Sequence, residues 1–289
     1  FFRTGEDVQQ KLGMRFLGYL PRIGGNMVEP SSTPPESEVA QQPAPDGEPV
    51  SFRRMMRIAV ESPRSSFTET LRNARLACDI VLQGRKCRVI GIVSSLPGEG
   101  KSTVAANFAG LLAASGLRTL VVDADLRNPG LSRMLATEPE TGLVEVVLQE
   151  TEWMKAVRVD RRSKLAIMPV TSRCKTLAHT SEFLSSSGMS QFLDSARETF
   201  DVIVVDLAPL IPVIDAKAFE SQVDGFIMVA RWGSTPVRTV QNLLASEPQI
   251  AAKVIGVILN NTDMQQLPRY ADPGTPERLR ESYADYYEG

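Results

Sequence analysis

The sequence predicts an α/β protein, a doubly wound and mostly parallel sheet with helices on both faces. Three observations carry this reading. Six apolar runs are continuous rather than alternating, helix-length segments separate them, and a glycine-rich loop joins the first run to the helix that follows. Buried parallel strands are apolar on both faces, which produces such runs, and helices between them give the βαβ rhythm of an open sheet.

Residues 1–25 hold a short helix-like segment ending at Gly13 and a strand-like MRFLGYL closed by Pro21. Residues 26–50, NMVEPSSTPPESEVAQQPAPDGEPV, are rich in Pro, Ser, Glu and Gln and poor in large apolar groups. Such a segment cannot bury enough surface to offset its chain entropy, so a disordered linker is expected there. From Phe67 an apolar face recurs through Leu71, Ala74, Cys78 and Val81. That spacing, alternately four and three, is one stripe of a helix. The strands are read at VIGIV (89–93), TLVVD (119–123), KLAIMPV (164–170), DVIVVD (201–206), GFIMVA (225–230) and VIGVIL (254–259). Helices are expected at 102–115, 142–149, 188–199, 213–222 and 236–247. The stretch 263–289 is polar, carries prolines and ends in tyrosines. It reads as a flexible tail, which leaves 51–262 as the folded domain.

At 289 residues and 43% hydrophobic content, the chain can bury a sizeable core. A net charge of −2 gives no sign of a nucleic-acid binder. Cys78, Cys87 and Cys174 form no Cys-x-x-Cys pair, and His179 is the single histidine. Neither a disulfide framework, nor a zinc knuckle, nor a His-based metal site is expected, and a reducing compartment fits. No run approaches the ~18–20 apolar residues of a membrane span, and no signal peptide is read. The opening Phe1-Phe2-Arg3 is what a cytoplasmic piece just downstream of a membrane helix would show.

The loop SSLPGEGKST (94–103) lies between strand 89–93 and helix 102–115, the setting that a Walker A phosphate loop requires. Its backbone amides and the dipole of the following helix would face an anion. Pro97, Gly98, Glu99, Gly100, Lys101, Ser102 and Thr103 form the candidate nucleotide contacts. Lys101 would reach the β/γ-phosphates and Ser102 would join a Mg²⁺ shell. Ser95 stands where the usual pattern begins with glycine. A bare glycine turn with an exposed lysine would account for the loop alone, but not for the carboxylates that follow. VVDADLR ends one strand with Asp123 and Asp125, and DVIVVD ends another with Asp206. Ligands bind at the carboxyl ends of parallel strands, so all three acids are expected to face the loop. Mg²⁺ usually takes one or two carboxylates plus phosphates, here Asp125 and Asp206 with Ser102. A carboxylate beside the ion, Asp123 or Asp125, could accept the proton of an attacking hydroxyl.

Together SSLPGEGKST, VVDADLRNPGLSR and DVIVVDLAP resemble the bacterial tyrosine kinases, the cytoplasmic kinase domains of polysaccharide co-polymerases. The resemblance implies a sheet of the P-loop NTPase type, with Walker A at Lys101 and Ser102–Thr103, Walker A′ at Asp123 and Asp125, and Walker B at Asp206. It further implies ATP and Mg²⁺ as the nucleotide and ion. Autophosphorylation would modify C-terminal tyrosines, and the site would lie on the cytoplasmic face of the bacterial inner membrane. ETLRNAR (69–75) is similar to the family's Glu-x-x-Arg-x-x-Arg motif of ring assembly, through Glu69, Arg72 and Arg75. A merely solvated charged face would look the same. GEDVQQKLGMRFLGYLPR resembles the juxtamembrane segment, and SYADYY (282–287) the tyrosine cluster. Implied acceptors are Tyr283, Tyr286 and Tyr287, with Tyr270 upstream. Leu279, Tyr283 and Tyr286 could instead share one face of a packed helix. Implied partners are further copies of the chain in a ring, the transmembrane co-polymerase portion, the polysaccharide export machinery and a cognate tyrosine phosphatase, with no nucleic acid. Walker B departs from the family at Leu207 and Ala208, where many members have Thr/Ser-Pro-Pro.

Two other readings share the loop. Partition and division-site ATPases carry a second lysine at the position of Leu96, which is absent here. A catalytically weak regulatory subunit of an export complex would have no need of an intact Lys101, Asp123, Asp125 and Asp206.

Overall fold

The computed structural model describes residues 1–24, 48–50, 52–271 and 275–279. Among the described residues nine strands form one sheet: β1 (Phe16–Pro21), β2 (Glu48–Val50), β3 (Arg88–Ser94), β4 (Thr119–Asp123), β5 (Arg158–Asp160), β6 (Ala166–Met168), β7 (Val202–Asp206), β8 (Gly225–Arg231) and β9 (Val254–Thr262). Their spatial order is β1-β9-β8-β3-β7-β4-β6-β5-β2. Every neighbouring pair is parallel except β5 with β6.

Side chains alternate across a strand, so each central strand feeds two cores. Val89, Leu120, Val122, Ile203, Val205, Phe226 and Met228 point to one face. Ile90, Ile92, Val121, Val204, Ile227 and Val229 point to the other. Helices cover both, Ser66–Val81 and Lys101–Ala114 on the second face, Ser187–Thr199 and Val237–Ser246 on the first. The helix Lys101–Ala114 is buried almost all round. Its one interior amide, Asn107, accepts from Ala59 N at 3.0 Å and donates to Met55 O at 2.9 Å, which fixes the preceding segment over it.

The N-terminal residues join this body. Helix Gly5–Leu12 ends at Gly13 in the left-handed region, φ 66°, where glycine is the residue without a steric cost. β1 then lies at the sheet edge beside β9, its register broken around Gly18. Asn73 Nδ2 donates to Leu17 O at 2.7 Å and Thr70 Oγ1 to Tyr19 O at 2.8 Å, so the helix Ser66–Val81 grips this strand by its backbone.

Several expectations change. Val81 is 52% exposed, because the stripe drifts in the last turn and Leu82, the C-cap residue, is buried instead. Residues 48–50 form β2 against β5, so the end of the expected linker is a strand; residues 25–47 lie outside the described residues. The strand of 164–170 contracts to Ala166–Met168, with β5 before it. Residues 263–271 belong to the folded body rather than to a free tail: Leu267 is buried, and Tyr270 stacks edge-on to Trp232 with Arg3 over its ring at 4.5 Å. Tyr283, Tyr286 and Tyr287 lie outside the described residues.

Candidate functional site

The sheet delivers the acids to one place by register. Asp123 pairs with Asp206 across β4 and β7, and Ile92 of β3 pairs with Asp206 on the other side. All three strands end there, and the loop leaving β3 arches over their ends. Gly98 and Gly100 take φ of 77° and 91°, open to glycine and costly for other residues. Gly100 then starts the helix Lys101–Ala114.

Lys101 Nζ lies 2.6 Å from Asp125 Oδ2 and 3.2 Å from Asp206 Oδ1, all three groups buried. Burial draws the ammonium down, yet Asp206 and Asp125 outweigh it and hold its pKa above the usual lysine value. Asp123 is fully buried; its Oδ2 accepts from Ser132 N at 2.8 Å and Ser132 Oγ at 2.7 Å. Burial first, and then the charge of Asp206, push Asp123 up to about 7. Burial likewise raises Asp206, against the pull of Lys101. Three carboxylates therefore share one ammonium, and the cluster is short of positive charge.

The donor set suits a hard divalent cation. Asp206 Oδ2 is buried with no hydrogen-bond partner among the described residues. An orphaned buried carboxylate oxygen is costly unless something binds it. Asp125 and Ser102 lie at the same strand-end cluster, and oxygen ligands of this kind are those Mg²⁺ takes alongside phosphate.

Some of the site was not visible beforehand. Arg127 Nε donates to the buried Asp215 at 3.0 Å, tying the loop after β4 to the segment after β7. Ser132, nine residues after Asp123, clamps that acid through both its amide and its hydroxyl, a role that only the fold reveals. Asn260 of β9 donates to Glu99 O at 2.8 Å and sits 2.1 Å from where a Cβ at Gly100 would stand. The loop is thus packed against β9 as well.

The candidate assembly residues lie apart from this cluster, on the open side of the helix Ser66–Val81. Arg72 pairs with Glu69 on its own helix, and Arg75 Nε lies 3.7 Å from Asp79. Exposed pairs contribute ~0–1 kcal/mol each, so an assembly built on them should weaken with salt. Replacing all three by alanine is expected to lower the sedimenting mass; an unchanged mass, where the parent oligomerises, makes the stripe a solvated face.

Comparison with known proteins agrees with this geometry. A family model described as an AAA domain matches residues 87–254. The succinoglycan biosynthesis transport protein ExoP of Rhizobium meliloti (strain 1021) is 47% identical over 288 residues, 99% of this chain. The chain spans 37% of the length of ExoP. The tyrosine-protein kinase CpsD of Streptococcus pneumoniae is 30% identical over 190 residues, 65% of this chain and 82% of CpsD. Among solved structures, the kinase domain of Escherichia coli tyrosine kinase ETK shares the fold, with a TM-score of 0.72 at 21% identity over 91% of this chain and 95% of that one. The VpsO kinase domain matches with a TM-score of 0.56 at 27% identity, over 69% of this chain and 100% of its own. Helix-covered sheet, phosphate loop, strand-end acids and relatives all converge: the chain belongs to the bacterial tyrosine-kinase family.

Proposed function

We propose that this chain is an ATP-dependent protein-tyrosine kinase that acts on the C-terminal tyrosines of its own kind and so regulates exopolysaccharide production and export. The observation that carries it is the cluster itself: one buried lysine and three strand-end acids under a glycine loop, with Asp206 Oδ2 left without a partner. The loop amides from Gly98 to Thr103 cradle the phosphates, and Lys101 exchanges its carboxylate contacts for phosphate oxygens. Asp125, Asp206 and Ser102 would hold Mg²⁺, which would offset charge on the phosphates.

The tyrosine oxygen attacks the γ-phosphorus, its bond to the β–γ bridging oxygen breaks, and ADP leaves. The phenolic proton, with a pKa near 10 in free tyrosine, needs a base. Asp123 fits that role, because a base held near 7 is matched to neutral pH. Tyr270, held between Arg3 and Trp232, is a poorer acceptor than the tyrosines beyond residue 279. We further propose an assembly with a membrane-bound co-polymerase portion at the cytoplasmic face of the inner membrane, and a phosphatase that reverses the modification; the similarity to a succinoglycan biosynthesis transport protein is what favours the link to polysaccharide export. Among the described residues no helix is long and apolar enough to cross a membrane.

The test incubates the protein with Mg·ATP and maps phosphates by mass spectrometry, expecting them on Tyr283, Tyr286 and Tyr287. We propose that transfer runs between subunits, which a segment extended at ~3.3–3.6 Å per residue would allow. Mixing Asp206→Asn protein, inactive but with its tail intact, with active protein truncated before Tyr283 should therefore label the inactive partner. If only full-length active protein is ever labelled, transfer stays within one chain.

A further inference from the structure

The acid inside the phosphate loop behaves differently from the three below it. Glu99 is 3% exposed. Its Oε2 accepts from Leu96 N at 2.7 Å and from Ser95 Oγ at 3.0 Å. Its Oε1 accepts from the Thr235 hydroxyl and, at 3.4 Å, from Arg231 N. One carboxylate thus joins the start of the loop to the turn that follows β8, and Thr235 itself is 1% exposed.

A negative charge within a phosphate cradle is unfavourable by simple electrostatics, since it faces a polyanion at short range. Its presence calls for a compensating role. A glycine-rich loop binds an anion well only when its N–H groups already converge, and ordering them at the moment of binding weakens affinity. Two donors on Glu99, Leu96 N and Ser95 Oγ, hold the loop's first residues against its middle, and two more, Thr235 Oγ1 and Arg231 N, tie it to the end of β8; the first pair also accounts for Ser95 where glycine is usual.

We propose that the Glu99 side chain has a positioning role: its carboxylate pre-shapes the phosphate loop by bridging Ser95 and Leu96 to Thr235, and so raises affinity for the nucleotide's phosphates without itself touching them. This rests on reading the loop as a nucleotide site. The test measures the affinity of the full chain for ADP with Mg²⁺ by calorimetry, alongside the melting temperature of the nucleotide-free protein. Glu99→Gln is expected to weaken ADP about tenfold, the effect of losing one charge-assisted hydrogen bond. Charge repulsion alone predicts the opposite sign, tighter binding. Thr235→Val should also weaken ADP, Thr235→Ser should restore it, and the Glu99→Gln/Thr235→Val pair should be no weaker than Glu99→Gln alone. If the variants melt earlier yet bind ADP as the parent does, or bind it more tightly, the positioning role is overturned. If the parent itself binds no ADP, the nucleotide reading falls with it.

Discussion

Replacing Lys101 by methionine is expected to abolish tyrosine phosphorylation and, at neutral pH, to weaken the fold as well. On the proposed reading, the rate effect follows from losing the buried lysine that meets the transferring phosphoryl group, a loss of at least about 100-fold. The stability effect follows from burial. Lys101 is the ammonium shared by Asp125 and Asp206, and both acids are all but inaccessible to water. Taking away one partner of a buried ion pair leaves an uncompensated charge and costs ~3–5 kcal/mol. Because Asp206 and Asp123 already sit above the usual carboxylate range, acid relieves that charge by protonation. The melting difference between variant and parent should therefore be widest near pH 8 and shrink towards pH 5. Phosphotyrosine at the parent's level in folded Lys101→Met protein would overturn the assignment of the site. Asp206→Asn, which removes negative charge from the cluster, is the better inactive variant for mixing experiments.

Asp123→Asn is expected to do the reverse to stability while still removing activity. Asp123 moves from an ordinary 3.8 to about 7 on folding, so the folded state binds its proton more tightly than the unfolded chain does. Stability linked to this group is therefore full below about 4 and is lost as pH rises to about 7. Asparagine carries no such loss and can still accept from Ser132. In nucleotide-free protein with EDTA, the variant should melt several degrees above the parent at pH 8, and the two should converge near pH 4. Coincident curves at every pH would show that Asp123 is not held protonated by the fold. A gain in stability with loss of phosphotyrosine is the pattern expected of a charge kept for chemistry at the fold's expense.

The central sheet was legible because burial on both faces leaves its mark on every residue of a strand: Val89 and Ile90 point opposite ways and both need to be apolar. The acids were legible because a carboxylate ending such a run has few other reasons to be there. Three-residue strands such as β2 and β5 leave no periodic signal, and β2 is held by its partner rather than by composition. Tyr270 was misplaced for a related reason. Its local sequence is polar, and what fixes it is Arg3 and Trp232, distant in sequence. Glu99 is visible as a loop residue, but what its carboxylate does, like the place of Asp215 at the site, depends on donors that the fold alone brings near, Thr235 and Arg127.

An open sheet ends in a strand whose unmatched peptide groups can recruit a strand from another molecule, the first step towards aggregation. β1 occupies that margin, and it is a poor template. Its register is broken at Gly18, it terminates in Pro21, which has no amide hydrogen to offer, and the carbonyls of Leu17 and Tyr19 already accept from Asn73 and Thr70. Strand exchange at this margin is therefore blunted. The helix that supplies Asn73 and Thr70 is also the one that carries Glu69, Arg72 and Arg75 outward. One element thus blunts edge pairing with one side and presents charged residues to solvent with the other.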